Sequence, residues 1–349
     1  MTPDLVTVGG LTIDNVVAAD GTVALARAGG NGAYSAAGAL AWVARVGLVS
    51  RAPASYPRAV LARLEAAGVD ASGVAASEAR LAACHWFIYD EAGRRDEGLQ
   101  STPEELAAAG FPTDRLTPEQ VRAWRAMLAQ RVAPPGEIGY ARFRVDNPLC
   151  PEDVPEPFLR ARGVHLAPSQ LAVVRAMLDL FAPTGTTIVA DPGHQLAAHG
   201  LDELAPVLAR LDAFLPSEVE LAALVPGERP AAALAMLARR CPGAVGVKLG
   251  PQGVLVLDRT TDTVVLVPAA SAETLDPTGA GDAFCGGFLA GLVETGDPVA
   301  AARFGAISAA RIVEHFGADG ALPVDRDAAR AALVRLSPSP SPAPETASR

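Results

Sequence analysis

Apolar and polar residues follow a repeating rhythm along this chain. Short apolar runs end at glycine or proline, and longer stretches with apolar positions three or four residues apart follow them. "DLVTVGG" (4–10) predicts a strand. "NGAYSAAGALAWVARVG" (31–47), with Leu40, Val43 and Ala44 at helical spacing, predicts a helix. "LVSR" (48–51) and "PRAVLARLEAAGV" (57–69) repeat the pair, and "AACHWFIYDEAGRRDEGL" (82–99) predicts a hairpin turning at Glu91-Ala92-Gly93. The rhythm returns in "GVHLAP", "TTIVADPG", "LDAFLPSEVELAALV", "AVGVKLGPQGVLVLD" and "DAFCGGFLAGLVE". Repeated strand–helix units predict an α/β fold with a mostly parallel central sheet, helices on both faces and right-handed crossovers.

Between Leu99 and Pro148 the rhythm loosens. Thr102-Pro103-Glu104-Glu105 and Thr117-Pro118-Glu119-Gln120 are capping boxes with proline at the first helical position, so two helices are expected there. The end, "LSPSPSPAPETASR", is rich in Ser and Pro, and residues 336–349 are expected to be disordered. Residues 1–335 then form the folded domain. No internal repeat is visible.

Composition narrows the function without naming it. The net charge of −10 argues against a nucleic-acid partner but leaves room for a small anionic ligand in a locally positive pocket. Cys84, Cys150, Cys241 and Cys285 stand in no metal-binding spacing and read as reduced thiols. "MTPDLVTVGG" has no basic segment followed by an apolar stretch, and no apolar window is long enough to span a bilayer, so a cytoplasmic protein without membrane contact is expected.

The richest chemistry is in "LDPTGAGDAFCGGFL" (275–289). A helix N-terminus presents unpaired N–H groups and partial positive charge, and glycines ahead of it let an anion come close. Gly279, Ala280 and Gly281 therefore form a plausible anion cradle, with Asp282 facing whatever it holds. That suits phosphoryl transfer, with Asp282 as general base for an attacking hydroxyl. Dipole stabilisation alone also favours an acid in a first turn, so a merely structural Asp282 stays open. The stretch matches neither the P-loop nor the dinucleotide fingerprint.

Asp276-Pro277-Thr278-Gly279-Ala280-Gly281-Asp282-Ala283-Phe284 resembles the C-terminal signature of the PfkB, or ribokinase-like, sugar and nucleoside kinases. "VGGLTIDNV" with Asp14, Gly29-Gly30-Asn31, "LPSEVE" and "KLGPQG" resemble further motifs of that family, in the same order, over roughly residues 4–330. The resemblance implies a ribokinase-like domain with a small β-sheet lid, here from about 11–28 and 81–98. The segment 99–148 is an unusual helical insertion that covers the substrate, packs on the lid or does neither. It implies transfer from ATP to a primary hydroxyl of a sugar, nucleoside or related polyol. It also implies Mg²⁺, a K⁺ site near Asp276 and Thr278, and lid–lid contact in a homodimer.

By the same resemblance Asp14, Gly29, Gly30 and Asn31 bind the acceptor, while Lys248, Gly250, Gly253 and Thr278 line the nucleotide. Glu220 organises Mg²⁺ through water. Several bland readings stay beside these. Asn31 is also a candidate N-cap, and Ser217-x-x-Glu220 is itself a capping box. Trp86, Phe87 and Tyr89 read more readily as sheet core than as a stacking platform. Ser217 stands where the family has Asn, Lys248 where it has Thr, and Asp191–His194 lacks the family's Asn and Arg. Those departures keep open a ribokinase-like ligand-binding protein with little or no kinase activity.

Overall fold

The computed structural model describes residues 2–81, 85–91, 93–97, 102–119, 121–122, 137–138 and 140–336. The expected tail and most of the expected second insertion helix lie outside the described residues. The strands in chain order are β1 (Leu5–Val8), β2 (Thr12–Val17), β3 (Val23–Gly29), β4 (Val46–Pro53), β5 (Val69–Ser77), β6 (Arg80–Leu81), β7 (His85–Tyr89) and β8 (Arg95–Glu97). They continue with β9 (Glu137–Ile138), β10 (Gly163–Leu166), β11 (Thr187–Ala190), β12 (Ala213–Phe214), β13 (Ala244–Lys248), β14 (Val254–Asp258) and β15 (Thr263–Val267).

Nine strands form the central sheet in the order β15-β14-β13-β12-β11-β10-β1-β4-β5. From β13 to β5 every pairing is parallel, as the alternation predicts, while β14 and β15 add an antiparallel edge. β1 shows how the sequence builds two faces. Leu5 points into one apolar cluster, and Val6 and Val8 point into the other. The first cluster packs under the helices Asn31–Ala39, Ala280–Thr295 and Pro298–Val313. The second packs under Leu171–Phe181, Gly200–Leu208, Glu218–Leu224 and Pro230–Ala238.

The expected helix over 31–47 stops at Ala39, because the chain must turn back to start β4 at Val46. Its small residues serve contact rather than amphipathicity. A Cβ on Gly38 would overlap the Ala283 carbonyl, and one on Gly286 would overlap that of Ser35, so this helix and Ala280–Thr295 lie backbone against backbone.

A second sheet of four strands, β3-β2-β7-β8, stands apart from the first. β2–β3 and β7–β8 are antiparallel pairs joined by a parallel β2–β7 ladder. Its own apolar cluster holds Val17, Trp86 and Ile88 with Leu106 and Leu116 of the insertion. Thr102 forms its capping box at the helix Pro103–Ala108. This part of the insertion therefore packs on the small sheet. A later part, the helix Tyr140–Asp146, returns beside Gly9 and Gly10. No helix among the described residues is long and apolar enough to cross a membrane.

Candidate active site

Parallel strands deliver their C-terminal ends to one edge of a sheet, where α/β folds bind ligands. Gly9–Gly10 follows β1, Pro168 follows β10, Asp191 follows β11, Ser217 follows β12, and Lys248 ends β13. The candidate residues collect along this edge in two groups.

The first surrounds Asp14 and Asn31. Asp14 is buried on β2 and accepts the Thr12 hydroxyl at 2.8 Å. Burial pushes its carboxyl up to about 7, the Thr12 bond opposes this, and the charge of Asp276 adds to it. Gly29 stands opposite, and any Cβ there would overlap the Asp14 carboxylate. Gly30, at φ 96°, is the N-cap of the following helix and no side chain caps it. Asn31 is therefore not the N-cap. Its Oδ1 accepts the Gly10 amide at 2.6 Å, and its Nδ2 donates to the Pro168 carbonyl at 2.9 Å. Tyr140 and Arg144, from the insertion, close this group. Arg144 Nη2 donates to the same Pro168 carbonyl at 3.3 Å, with its guanidinium over the Tyr140 ring. Burial pushes the Tyr140 phenol up, Arg144 opposes, and Asp14 and Asp282 both add to the rise, so Tyr140 stands within electrostatic reach of both carboxylates.

The second group surrounds Asp282. The helix Ala280–Thr295 starts at Gly279, in the left-handed conformation at φ 76°, with no side-chain cap. A Cβ on Gly279 would overlap the ring of Tyr34, whereas one on Gly281 would meet nothing nearer than Lys248 Nζ at 3.5 Å. Tyr34 is buried and its hydroxyl has no hydrogen-bond partner. Burial raises its phenol, and Asp14, Asp276, Tyr89 and Asp282 all contribute. Asp282 is raised to about 7 by burial first, then by the charge of Asp191, with Lys248 pulling the other way.

Lys248 pairs with buried Asp191, and its Nζ lies 3.6 Å from Cys285 Sγ. Burial alone would push the ammonium down, but Asp191 outweighs it and holds Lys248 above the ordinary lysine range. Burial raises Asp191 to about 6 against the pull of Lys248, and Glu220 adds to the rise. Glu220 completes a capping box: its Oε2 accepts the Ser217 amide at 2.7 Å, and its own amide donates to Ser217 Oγ at 3.4 Å. Gly250 and Gly253 bound the turn between β13 and β14, just beyond Lys248. Asp276 is fully buried. Its Oδ1 accepts the Thr278 amide at 2.9 Å, and its Oδ2 has no hydrogen-bond partner among the described residues. Tyr89 of the small sheet shares a 2.9 Å hydrogen bond with Thr278 Oγ1. Trp86 instead joins the apolar cluster of the small sheet.

Sequence reasoning missed Tyr34, Tyr140 and Arg144, and did not join Lys248 to Asp191. Tyr34 carried a signal: it is the one bulky side chain in "NGAYSAAGA". The others are brought in over 57 residues or from the insertion, where no local pattern points.

Residues 155–325 match the model of the pfkB family of carbohydrate kinases. They form a pfkB-family domain. With that family comes its enzymatic class, a phosphotransferase with an alcohol group as acceptor. A cytidine kinase from Thermococcus kodakarensis is 27% identical over 289 residues, 82% of this chain and 88% of that protein. An ATP-dependent ribose-1-phosphate kinase from Halopiger xanaduensis is 28% identical over 329 residues, 92% and 90% of the two chains. An uncharacterized sugar kinase from Archaeoglobus fulgidus is 35% identical over 137 residues, but the match spans only 38% of this chain and 52% of that protein. A putative ribokinase II from E. coli, solved with ATP and Mg²⁺, superposes with a TM-score of 0.67 at 20% identity, covering 95% of this chain and 99% of that one. The ribokinase-like fold with a small separate sheet is thereby shown.

Proposed function

We propose that this protein transfers a phosphoryl group from ATP to a primary hydroxyl of a sugar, nucleoside or related polyol. The observation that carries the reading is Asp282. Its carboxyl sits in the first turn of an uncapped helix, and its surroundings raise it to about 7, where a general base is most effective.

When bound, Mg²⁺·ATP supplies the phosphoryl group and charge neutralisation for its transfer. The residues present fit such a ligand: no side chain caps the helix start among the described residues, and a Cβ on Gly281 would meet nothing nearer than the Lys248 ammonium. Asp282 accepts the proton of the attacking hydroxyl. The first-turn amides of Gly281 and Asp282 meet the charge that builds up on the transferred group. Lys248, held toward the cradle by Asp191, adds a cation on the same side. Asp14 and the Asn31 loop orient the acceptor. Glu220 keeps one carboxylate oxygen outside its capping box, available to a hydrated Mg²⁺. Gly250 and Gly253 border the nucleoside.

Two finer proposals follow. The unpartnered Oδ2 of buried Asp276 suits a K⁺ ion that orders the Thr278–Gly281 loop, and equal rates in K⁺ and in a bulky organic cation would remove that idea. Lid–lid contact through the small sheet, which ends in β3 and β8, would make a homodimer, and light scattering at the monomer mass would exclude it.

The test of the main reading is ADP release with Mg²⁺ on a panel of sugars, nucleosides and sugar phosphates. Binding of an acceptor without any ADP release would instead favour a ligand-binding protein.

A further inference from the structure

Next to Asn31 lies a cavity of about 40 Å³ with an unusual lining. Its walls include Gly9, Gly10, Pro168, Tyr140, Arg51 and Arg144, and none of its described lining residues is an aspartate or glutamate. That is notable in a chain of net charge −10 whose neighbouring groups are Asp14, Asp276 and Asp282. The two arginines differ. Arg51 is neutralised by a bidentate pair with Asp153, at 2.9 Å to each carboxylate oxygen. Among the described residues Arg144 has only neutral partners, the Pro168 carbonyl and Gln195 Oε1, both at 3.3 Å, and the face of Tyr140. A guanidinium prefers a bidentate oxyanion to such partners.

The cavity also belongs to the acceptor side. The Pro168 carbonyl that receives Arg144 Nη2 receives Asn31 Nδ2 as well, so guanidinium and carboxamide are neighbours across one oxygen. Tyr140 stands over Gly10, which in turn donates to Asn31. At about 10–15 Å³ per water-sized group, the space takes roughly three such groups, the scale of one oxyanion head.

We propose that Arg144 and this cavity form an anion subsite, and that the acceptor is a sugar already carrying a phosphate monoester, with a separate primary hydroxyl left free. This deepens the kinase reading above and rests on it. The free hydroxyl oxygen gains the phosphoryl group, its proton passes to Asp282, and the nucleotide leaves as the diphosphate; the product is a sugar bisphosphate. The phosphate already present is held away from the reacting atoms, so its contribution is to binding.

The experiment measures ADP release by the full chain with ribose 1-phosphate, ribose, cytidine, and ribose with inorganic phosphate, for the wild type, Arg144→Gln and Arg144→Lys. Melting-temperature shifts with ribose 1-phosphate or ribose, without ATP, run alongside. The expected result is a kcat/KM at least tenfold higher for ribose 1-phosphate than for either neutral acceptor. Arg144→Gln should reduce that preference at least tenfold through KM, and Arg144→Lys should recover part of it. Ribose with inorganic phosphate should react no faster than ribose alone, which separates an attached phosphate from a free one. Equal or better turnover of ribose or cytidine, or an unchanged preference in Arg144→Gln, overturns the subsite and leaves the kinase standing. If no acceptor releases ADP, the kinase reading fails. The melting shifts then decide the subsite: it stands if ribose 1-phosphate stabilises more than ribose and Arg144→Gln abolishes the difference, and falls otherwise.

Discussion

Two of the helices that begin at this site start at a glycine with positive φ and no side-chain cap: Asn31–Ala39 at Gly30 and Ala280–Thr295 at Gly279. Their fates differ. At Gly30 the helix end is consumed by the protein itself: the Gly32 amide donates to the Gly10 carbonyl at 3.0 Å, and Asn31 braces Gly10 against Pro168. At Gly279 the Ala280 amide turns back to the Pro277 carbonyl at 3.3 Å, and among the described residues no side chain caps the amides that follow, beside Asp282. A glycine-rich helix start is thus an anion site only where no neighbouring loop has already taken its donors. At Gly30 the motif works as a strut that braces the proposed acceptor wall.

The largest expected effect lies at the open end. Asp282→Asn should lower kcat by about 10²–10⁴ while melting temperature and ATP affinity barely change. A variant that kept most of its turnover would make Asp282 a helix-end residue like any other. The pH profile sharpens this. Turnover should rise as pH climbs through about 7, where Asp282 loses its proton. Stability should run the other way. Asp14 and Asp282 both titrate near 7 when folded and near 4 when unfolded, so the folded chain holds more protons between those values. Their contribution therefore makes the protein less stable as pH rises across that window. Thermal melts and initial rates from pH 5 to 8 would show the opposed slopes, and parallel slopes would sink the assignment.

Next in size is Gly279→Ala. The left-handed backbone and the Tyr34 ring both resist a methyl group, and a loss of about 2–4 kcal/mol is expected by thermal or urea unfolding. Asn31→Ala should cost about 1–3 kcal/mol, because it leaves the Gly10 amide without an acceptor. A change below about 0.5 kcal/mol would deny the strut. The smallest stability effect should come from Gly281→Ala, whose methyl meets Lys248 Nζ at ordinary contact distance. Stability should stay within about 0.5 kcal/mol of the wild type, while weaker nucleotide binding would show that the cradle needs its open face.

What the sequence made legible follows the range of each interaction. The central sheet and its two covered faces were readable because apolar periodicity is local, and β1 alone sorts Leu5 from Val6 and Val8. Gly279 to Asp282 was readable for the same reason: the cap and the carboxylate are four consecutive residues. The capping boxes at Thr102 and Ser217 likewise close within one turn. The pair Lys248–Asp191 was not readable, since its members lie on different strand ends and only the sheet order β11-β12-β13 brings them near. The alternative reading of Asn31 as an N-cap misses by one position, because a cap depends on the φ of Gly30, which composition does not reveal. The insertion had no periodicity to betray that Tyr140 returns to Gly10.

The bare contact between Gly38 and Ala283, and between Gly286 and Ser35, has an evolutionary reading. The two helices that carry Asn31 and Asp282 touch through main chain at Gly38 and Gly286, so at those two points no side chain can retune their spacing. A lineage changing its acceptor cannot widen this gap by swapping a rotamer there without displacing both ends at once. Innovation is channelled instead into the parts that merely lean on the site, the four-stranded sheet and the Tyr140–Asp146 helix, where a substitution alters what is recognised and leaves the distance over which the reaction happens untouched.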